Sequence, residues 1–441
     1  MCSQGVYVVE IRMKEAKPGA PRDVLRSLFA SALQAADPMR CVPAHLPDIR
    51  ETGRVVVIGA GKASAAMARA VETEAGAQGW LSRLEGLIVT RYQHGVACER
   101  IEVVEASHPV PDAAGHAAAR RVLDLVSGLS AEDTLICLMS GGGSALLALP
   151  ADGVSAEEKA AVNRALLRSG APIDEMNCVR KHISAIKGGR LAAAAYPAHV
   201  VCLMISDVPY DDPSVIASGP TVPDPTSVID ARSILDRYGI DIPDSVLRVL
   251  DGKDGETPKP GDPVFEKVDN VIVSRPGDML AAVERKAAEM GFHVVSLGPD
   301  LQGEARELGS EHARLARELQ ASREDARAIV ILSGGETTVT VQGDGRGGRN
   351  AEYALGLARE LNDAPDIYAL ACDTDGIDGV EDNAGVVVTP DTMSRAGECG
   401  VSVEDTFERN DAYSLFSAID GLVITGPTRT NVNDFRAILI L

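Results

Sequence analysis

The stretch VVVIGAGKASAAMARAV, residues 55–71, reads as a buried strand, a tight turn and a helix laid back on the strand. Four consecutive apolar residues, Val55 to Ile58, suit a parallel strand covered on both faces. Gly59 and Gly61 suit a sharp turn, and the alanine-rich run after it suits close helix packing. Such a unit opens nucleotide-binding α/β folds. The dinucleotide fingerprint is incomplete, however. Ser64 stands where the third glycine belongs, and the next strand-like run, GLIVT, ends at Thr90-Arg91 with no acid for a ribose. A Walker A loop is also absent. What remains is a helix N-terminus beside Lys62, which suits a phosphate or a carboxylate. A solvated first-turn lysine is the competing reading.

Outward from this unit, strand-like and helix-like runs alternate. Val55–Ile58, Gly86–Thr90, Ile101–Ala106, Thr134–Met139 and Val200–Ile205 read as strands. Ser64–Thr73, Ala113–Ser127 and Ala156–Ser169 read as helices between them. From Asp224 to Phe265 the texture turns rich in Pro, Gly and Asp, which marks a boundary or crossing connection. A second series follows, with strands at Asn270–Val273, His293–Leu297, Ala328–Leu332, Thr337–Val341 and Ile367–Ala371. Its helices are Met279–Met290, Gly303–Ala321 and Arg349–Asn362. The expected architecture is two α/β domains with mainly parallel sheets, the first Rossmann-like, over residues 1–250 and 251–441. The first 50 residues, including a helix at Asp23–Ala36, could pack on either domain.

Further glycine turns follow apolar runs. TLICLMSGGGSALL places Ser140, Gly141, Gly142, Gly143 and Ser144 after a strand, where backbone N–H groups and hydroxyls can surround an anion. AIVILSGGETTVTVQGDGRGGRNAE places Gly334, Gly335 and Glu336 after another. Gly345, Gly347 and Gly348 then make a loop that can hug a ligand, with Arg346 and Arg349 supplying charge. Arginine's planar fork matches carboxylate or phosphate. These turns, with Gly59 and Gly61, are the candidate cofactor-binding positions.

Two acidic runs sit past strands. Asp207 leads one, with Asp211 and Asp212 following, and Asp373, Asp375 and Asp378 make the other. Carboxylates at such edges can hold Mg²⁺ or orient an attacking hydroxyl. Asp211, Asp212 and Asp373 read better as turn formers, leaving Asp207 and Asp375 as candidate metal ligands. The segment MNCVRKHISAIKGGRLA gathers Arg180, Lys181, His182, Lys187 and Arg190. It could line an anionic cleft or form one exposed helix face. Lys187 and Arg190, with Asn350 and Asp375, are the candidate substrate-binding residues.

Composition narrows the partners. A formal net charge of -21 disfavours nucleic acid and anionic membrane surfaces. No run approaches the roughly 20 apolar residues of a membrane span. Residues 1–19 lack the pattern of a signal peptide and read as a disordered lead-in or a misplaced start. The eight cysteines are scattered without a C-x-x-C pair, which suits a reducing cytoplasm. A homo-oligomer stays open.

Taken together, GAGKAS, SGGGSALL, NCVRKHISAIKGGRLA, SDVPYDDPSVIASGPT, LSGGETTVTVQGDGRGGRN, TDGIDG and TGPTRTNVND resemble the glycerate 2-kinases of the MOFRL family, often labelled hydroxypyruvate reductases. The motifs run in family order from Gly59 to Asp434. The resemblance implies two α/β domains with the active site in the cleft between them. It implies transfer of the ATP γ-phosphate to the 2-hydroxyl of D-glycerate with Mg²⁺. Its suspected active-site pair maps onto Lys62 and Arg349, to which Asp207 is added here as a third catalytic candidate. The sequence departs from the family at Arg429 and Tyr210, where glycine is usual, and at Ala351 and Asp373. The competing function is a nicotinamide-dependent hydroxypyruvate reductase.

Overall fold

The computed structural model describes residues 9–13, 20–323 and 325–441. The expectation for residues 1–19 therefore falls mostly outside the described residues. The chain divides into two compact units. One is Pro38–Val273; the other combines the chain up to Asp37 with Ser274–Leu441. The break after Val273 falls later than the position 250 read from the Pro- and Gly-rich texture. That texture instead holds two helices, Val228–Arg237 and Asp244–Asp251, whose Ala231, Leu235, Val246 and Leu250 fill a core with Val162, Leu166 and Val179.

The Pro38–Val273 unit carries strands β1 (Val55–Ala60), β2 (Leu84–Arg91), β3 (Ile101–Ala106), β4 (Thr134–Met139), β5 (His199–Ile205) and β6 (Val268–Ser274). They form one sheet in the order β3-β2-β1-β4-β5-β6, the order of a doubly wound nucleotide-binding sheet. The pairings among β1 to β5 are all parallel. Every residue of β1 and of β4 is buried, which explains their unbroken apolar runs. Asn270–Val273, read as the first strand of the second series, belongs to β6 at the edge of this sheet.

The other unit carries β7 (His293–Ser296), β8 (Ile329–Gly335), β9 (Ile367–Asp373), β10 (Gly385–Val388), β11 (Leu422–Val423) and β12 (Asp434–Ile440). Their order is β11-β10-β9-β12-β8-β7. The expected mainly parallel sheet is corrected here. Only β7 and β8 pair in parallel, while β12 runs antiparallel to both β8 and β9. The reason is twofold: β12 inserts between β8 and β9, and β10 doubles back antiparallel to β9 and pairs antiparallel with β11. Thr337–Val341 is not a strand. Thr338 instead exchanges backbone bonds with Gly303 and Ala305, at 2.9 Å each, and Val341 is exposed. The helix Pro21–Ala35 supplies Leu25, Leu28, Phe29 and Ala32 to this unit's interior, and Phe29 stacks on Phe435 of β12 at 5.9 Å.

Candidate active site

In the Pro38–Val273 unit the sheet reverses its winding between β1 and β4, the usual place for a ligand. Two glycine turns leave the sheet there, Gly61–Ala63 after β1 and Ser140–Gly142 after β4. They are clasped on each other. Lys62 N–H donates to the Gly141 carbonyl at 2.9 Å, and Ala63 N–H donates to Ser140 Oγ at 3.0 Å. Gly61 has φ of +143°, and a Cβ there would lie 2.1 Å from Ser140 Oγ. The glycine is thus demanded by the neighbouring turn. Ser140 is fully buried, so its hydroxyl serves the protein's own backbone. Ser64, at the third fingerprint position, donates to the Leu138 carbonyl at 2.9 Å, and Thr90 Oγ1 donates to the Gly61 carbonyl at 2.9 Å. Gly59 lies within β1 opposite Leu138, and Gly143 opens a short helix. Lys62 is half-buried at the start of this clasp.

The basic segment is not one exposed face. Lys181 is buried and pairs with Asp224 at 3.5 Å. His182 is buried, with Nδ1 2.8 Å from the Cys178 carbonyl. Lys187 is buried and donates to Ser144 O at 2.7 Å and Ser144 Oγ at 2.9 Å, joining the second glycine turn to its own loop. Arg190 donates to the carbonyls of Asp254 at 2.7 Å and Gly255 at 3.1 Å. Asp207 is half-buried just past β5. Asp212 forms a local turn, accepting from Ser214 N–H at 2.8 Å.

The other unit concentrates charge at one sheet edge. Because β12 is antiparallel, its first residue, Asp434, lies opposite both Gly335 at the end of β8 and Asp373 at the end of β9. Arg349 reaches this edge from the first turn of the helix Arg349–Leu361. Its Nε donates to Asp434 Oδ1 at 2.9 Å, Nη2 to Asp373 Oδ2 at 2.9 Å and Nη1 to Glu336 Oε1 at 2.5 Å. Burial would lower the Arg349 pKa, but Asp434, Asp373 and Glu336 outweigh it and hold it above the ordinary value. Asp434 is shared with a second, buried arginine, since Arg436 Nη2 donates to Asp434 Oδ2 at 2.7 Å. Gly334 and Gly335 end β8 here, with Gly334 O accepting from Arg436 Nη1 at 3.0 Å.

Two of the sequence candidates at this edge face inward. Asn350 is fully buried and donates to Asp434 Oδ1 at 2.8 Å. Asp375 is 1 % exposed and accepts from Ile377 N–H at 2.8 Å, shaping its own turn. The glycine loop before the helix hugs protein. A Cβ at Gly345 would lie 2.5 Å from the Arg409 carbonyl oxygen, and one at Gly348 would lie 2.3 Å from Asp378 Oδ1. The Asp378 carboxylate caps the helix, accepting from the N–H groups of Asn350 at 3.0 Å and Ala351 at 2.9 Å. It fills the place an incoming phosphate would take. Burial pushes Asp378 up to about 6, against the opposing pull of those two N–H groups. Sequence reasoning missed Asp434 and took Asp373 for a turn former. The signal for both is the sheet edge that β12 completes.

Tyr210 and Arg429, the two departures from family glycines, both have left-handed backbone, with φ of 62° and 64°. Among the described residues, no group of three or more His, Cys, Asp or Glu is arranged to hold a metal ion. No helix of the described residues is long and apolar enough to cross a membrane.

Comparison with known proteins places the chain in a family. A model described as a domain of unknown function, DUF4147, matches residues 24–251, and the MOFRL family model matches residues 329–434. A protein of Pyrococcus horikoshii named glycerate 2-kinase is 37% identical over 93% of this chain and 96% of its own length. The chain belongs to the DUF4147–MOFRL family of glycerate kinases. Within the family, the crystal structure of a Thermotoga maritima glycerate kinase superposes with a TM-score of 0.85 at 37% identity, covering 95% of this chain and 99% of that one. An Agrobacterium vitis protein with the provisional name hydroxypyruvate reductase is 51% identical over 95% of this chain and 94% of its own length.

Proposed function

We propose that the protein is a glycerate 2-kinase, transferring the γ-phosphate of ATP to the 2-hydroxyl of D-glycerate to give ADP and 2-phosphoglycerate. The observation that carries this reading is family membership across nearly the whole chain, with 37% identity to proteins named glycerate 2-kinase from two organisms. Phosphoryl transfer asks a protein mainly for positioning and for charge at the transferring group. Lys62, at a helix N-terminus beside the clasped turns, is assigned to phosphate charge. Arg349, braced by its carboxylates, is assigned to the developing charge of the transfer. Asp207 is assigned to orienting the attacking hydroxyl.

Among the described residues, the donor set does not build a resident Mg²⁺ site. Mg²⁺ commonly keeps its waters and takes one or two carboxylates plus substrate phosphates. It would therefore arrive with ATP, and Asp207, half-buried just past β5, is the carboxylate proposed to meet it; Asp375 is buried in its own turn and does not serve. The reductase name borne by the Agrobacterium relative is the second reading. It is disfavoured by Ser64 at the third fingerprint position, whose hydroxyl is spent on the Leu138 carbonyl of β4, and by Thr90 in place of a ribose acid, whose hydroxyl is spent on the Gly61 carbonyl. Cys137, Cys178, Cys202 and Cys372 are buried free thiols, in keeping with a reducing cytoplasm.

Incubation with D-glycerate, ATP and Mg²⁺, and separately with hydroxypyruvate and NADH or NADPH, tests both readings. Expected is 2-phosphoglycerate by NMR in the first mixture and no nicotinamide oxidation in the second. Phosphate solely on the 3-hydroxyl, or nicotinamide oxidation alone, would sink the proposal.

A further inference from the structure

In the Pro38–Val273 unit, Lys159 and Lys187 are buried, and Arg180 and Arg190 partly buried, without a carboxylate paired to any of them among the described residues. Lys159 sits on the inner face of the helix Ala156–Ser169, between Ser155 and Val162, and is 5 % exposed. Its ammonium has one bond, to the Leu149 carbonyl at 3.0 Å. That carbonyl also accepts from Ser184 Oγ at 3.0 Å and from Ala185 N–H at 3.2 Å, so it is heavily shared. Arg180 is half-buried, and its contacts are marginal, 3.5 Å to Asn177 Oδ1 and 4.0 Å to the Met176 sulfur. Arg190 bonds two backbone carbonyls through Nη2, and its buried Nε has no hydrogen-bond partner. Lys187 bonds only neutral oxygens.

Among the described residues, none of these four cations makes an ion pair, whereas Lys181 in the same segment has Asp224. They also feel one another. Burial first, then Arg180 and Arg190, pushes Lys159 down to about 7. Burial first, then Lys159 and Arg180, holds Lys187 well below its ordinary value. Arg190 is lowered by burial, with Asp254, Glu256 and Asp224 pulling the other way. A buried cation without a counter-charge costs several kcal/mol. A negative group held among several such cations would offset that cost.

We propose that Lys159, Arg180 and Arg190, with Lys187, form an oxyanion-binding site in the Pro38–Val273 unit, for the carboxylate or phosphate of a small anionic ligand. The guanidinium forks suit two oxygens each, and the ammonium groups supply point charge. The choice of probes rests on the kinase reading; the site itself rests on the charges above.

Calorimetric titration of the full chain with inorganic phosphate, D-glycerate and metal-free ATP tests it, using Lys159→Met and Arg180→Gln. Expected is binding of at least one probe, weakened about tenfold or more in each variant. Lys159→Met should also melt above the unliganded parent, because an unbalanced buried cation has gone. Binding of D-glycerate alone assigns the carboxylate, and binding of phosphate and ATP alone assigns the phosphate. The proposal is overturned if the parent binds none of the three, or if both variants keep affinity within about twofold. A lower melting point in Lys159→Met with unchanged affinity would reduce that lysine to a tie on Leu149 and also overturn it. If Lys159→Met does not fold, the half-exposed Arg180→Gln decides alone. Probe binding that depends on these residues in a protein without kinase turnover keeps the site and discards the kinase reading. Turnover with unaltered binding in the variants does the reverse.

Discussion

At the residue scale, Lys62 and Arg349 call for different experiments. Lys62 is half-buried at the head of a turn that its backbone, rather than its side chain, holds to Gly141. Lys62→Ala should still fold cooperatively and lower turnover by about 10²–10³, the cost of removing a donor aimed at transition-state charge. Near-normal turnover in the folded variant would remove Lys62 from the site. Arg349 is bound into the protein as well. Asp434 and Asp373 are 0% and 5% exposed at their side chains, and truncating Arg349 removes a main counter-charge of both. Breaking one side of a buried pair costs roughly 3–5 kcal/mol. Arg349→Ala is therefore expected to lose stability together with activity. Arg349→Ala combined with Asp373→Asn should recover part of the melting point but none of the turnover. Recovery of both would mean that Arg349 is only structural. Tyr210 offers the opposite case. It is 89% exposed with φ of 62°, so it bears left-handed strain with little packing in return. Relief of roughly 1–2 kcal/mol of strain, less glycine's entropic cost of about 0.5–1 kcal/mol, makes Tyr210→Gly neutral to stabilising. A clear drop in melting point would show that the tyrosine makes a contact worth more than its strain.

At the element scale, the helix Arg349–Leu361 shows how a residue pattern can point to the right place for the wrong reason. GDGRGGRN was read as a loop for a ligand, yet its glycines make room for Arg409 and Asp378. Asp378 replaces the external anion with an internal one. Its raised pKa has a definite sign. A carboxyl that holds its proton more tightly when folded makes stability fall as pH rises from about 4 to about 6. Above that range its contribution is flat. Asp378→Asn removes this titration, so the stability gap between parent and variant should change across that window and stay constant from pH 7 to 8. Chemical denaturation at several pH values measures it, and a gap independent of pH would contradict the assignment. The legibility of the elements follows their burial. The strands β1, β4 and β5 were plain because buried parallel strands are unbroken apolar runs. β12 was missed although all seven of its residues are buried, because Asp434 and Arg436 interrupt its apolar pattern. Those same two residues organise the edge around Arg349. Thr337–Val341 failed in the opposite sense: all five residues are β-branched, but the pairing stops at a single bridge between Thr338 and Glu304 and no ladder extends along the segment.

At the scale of the whole molecule, the chain begins one unit, leaves it at Asp37, completes the other by Val273, and returns. Local patterns do not carry that path, because a helix looks the same whichever core receives it. The sequence left the first 50 residues open for this reason, and only tertiary contact decides. The helix Pro21–Ala35 buries Leu25, Leu28 and Phe29 completely, and Thr430 Oγ1 donates to the Ala36 carbonyl at 2.6 Å. Burying a large apolar side chain contributes about 1.5–3 kcal/mol, so these three supply roughly 5–9 kcal/mol. That is comparable to the whole stability of a typical domain, about 5–15 kcal/mol. The segment Ser274–Leu441 expressed alone should therefore fail to unfold cooperatively and should bind a hydrophobic dye. Joining residues 20–37 to its C-terminus through a flexible linker should restore a cooperative transition. The complementary segment Pro38–Val273, which keeps its own sheet and core, should unfold cooperatively by itself. Calorimetry on the three polypeptides distinguishes the cases. Cooperative unfolding of Ser274–Leu441 without the helix would mean that the N-terminal segment only covers a core that stands without it.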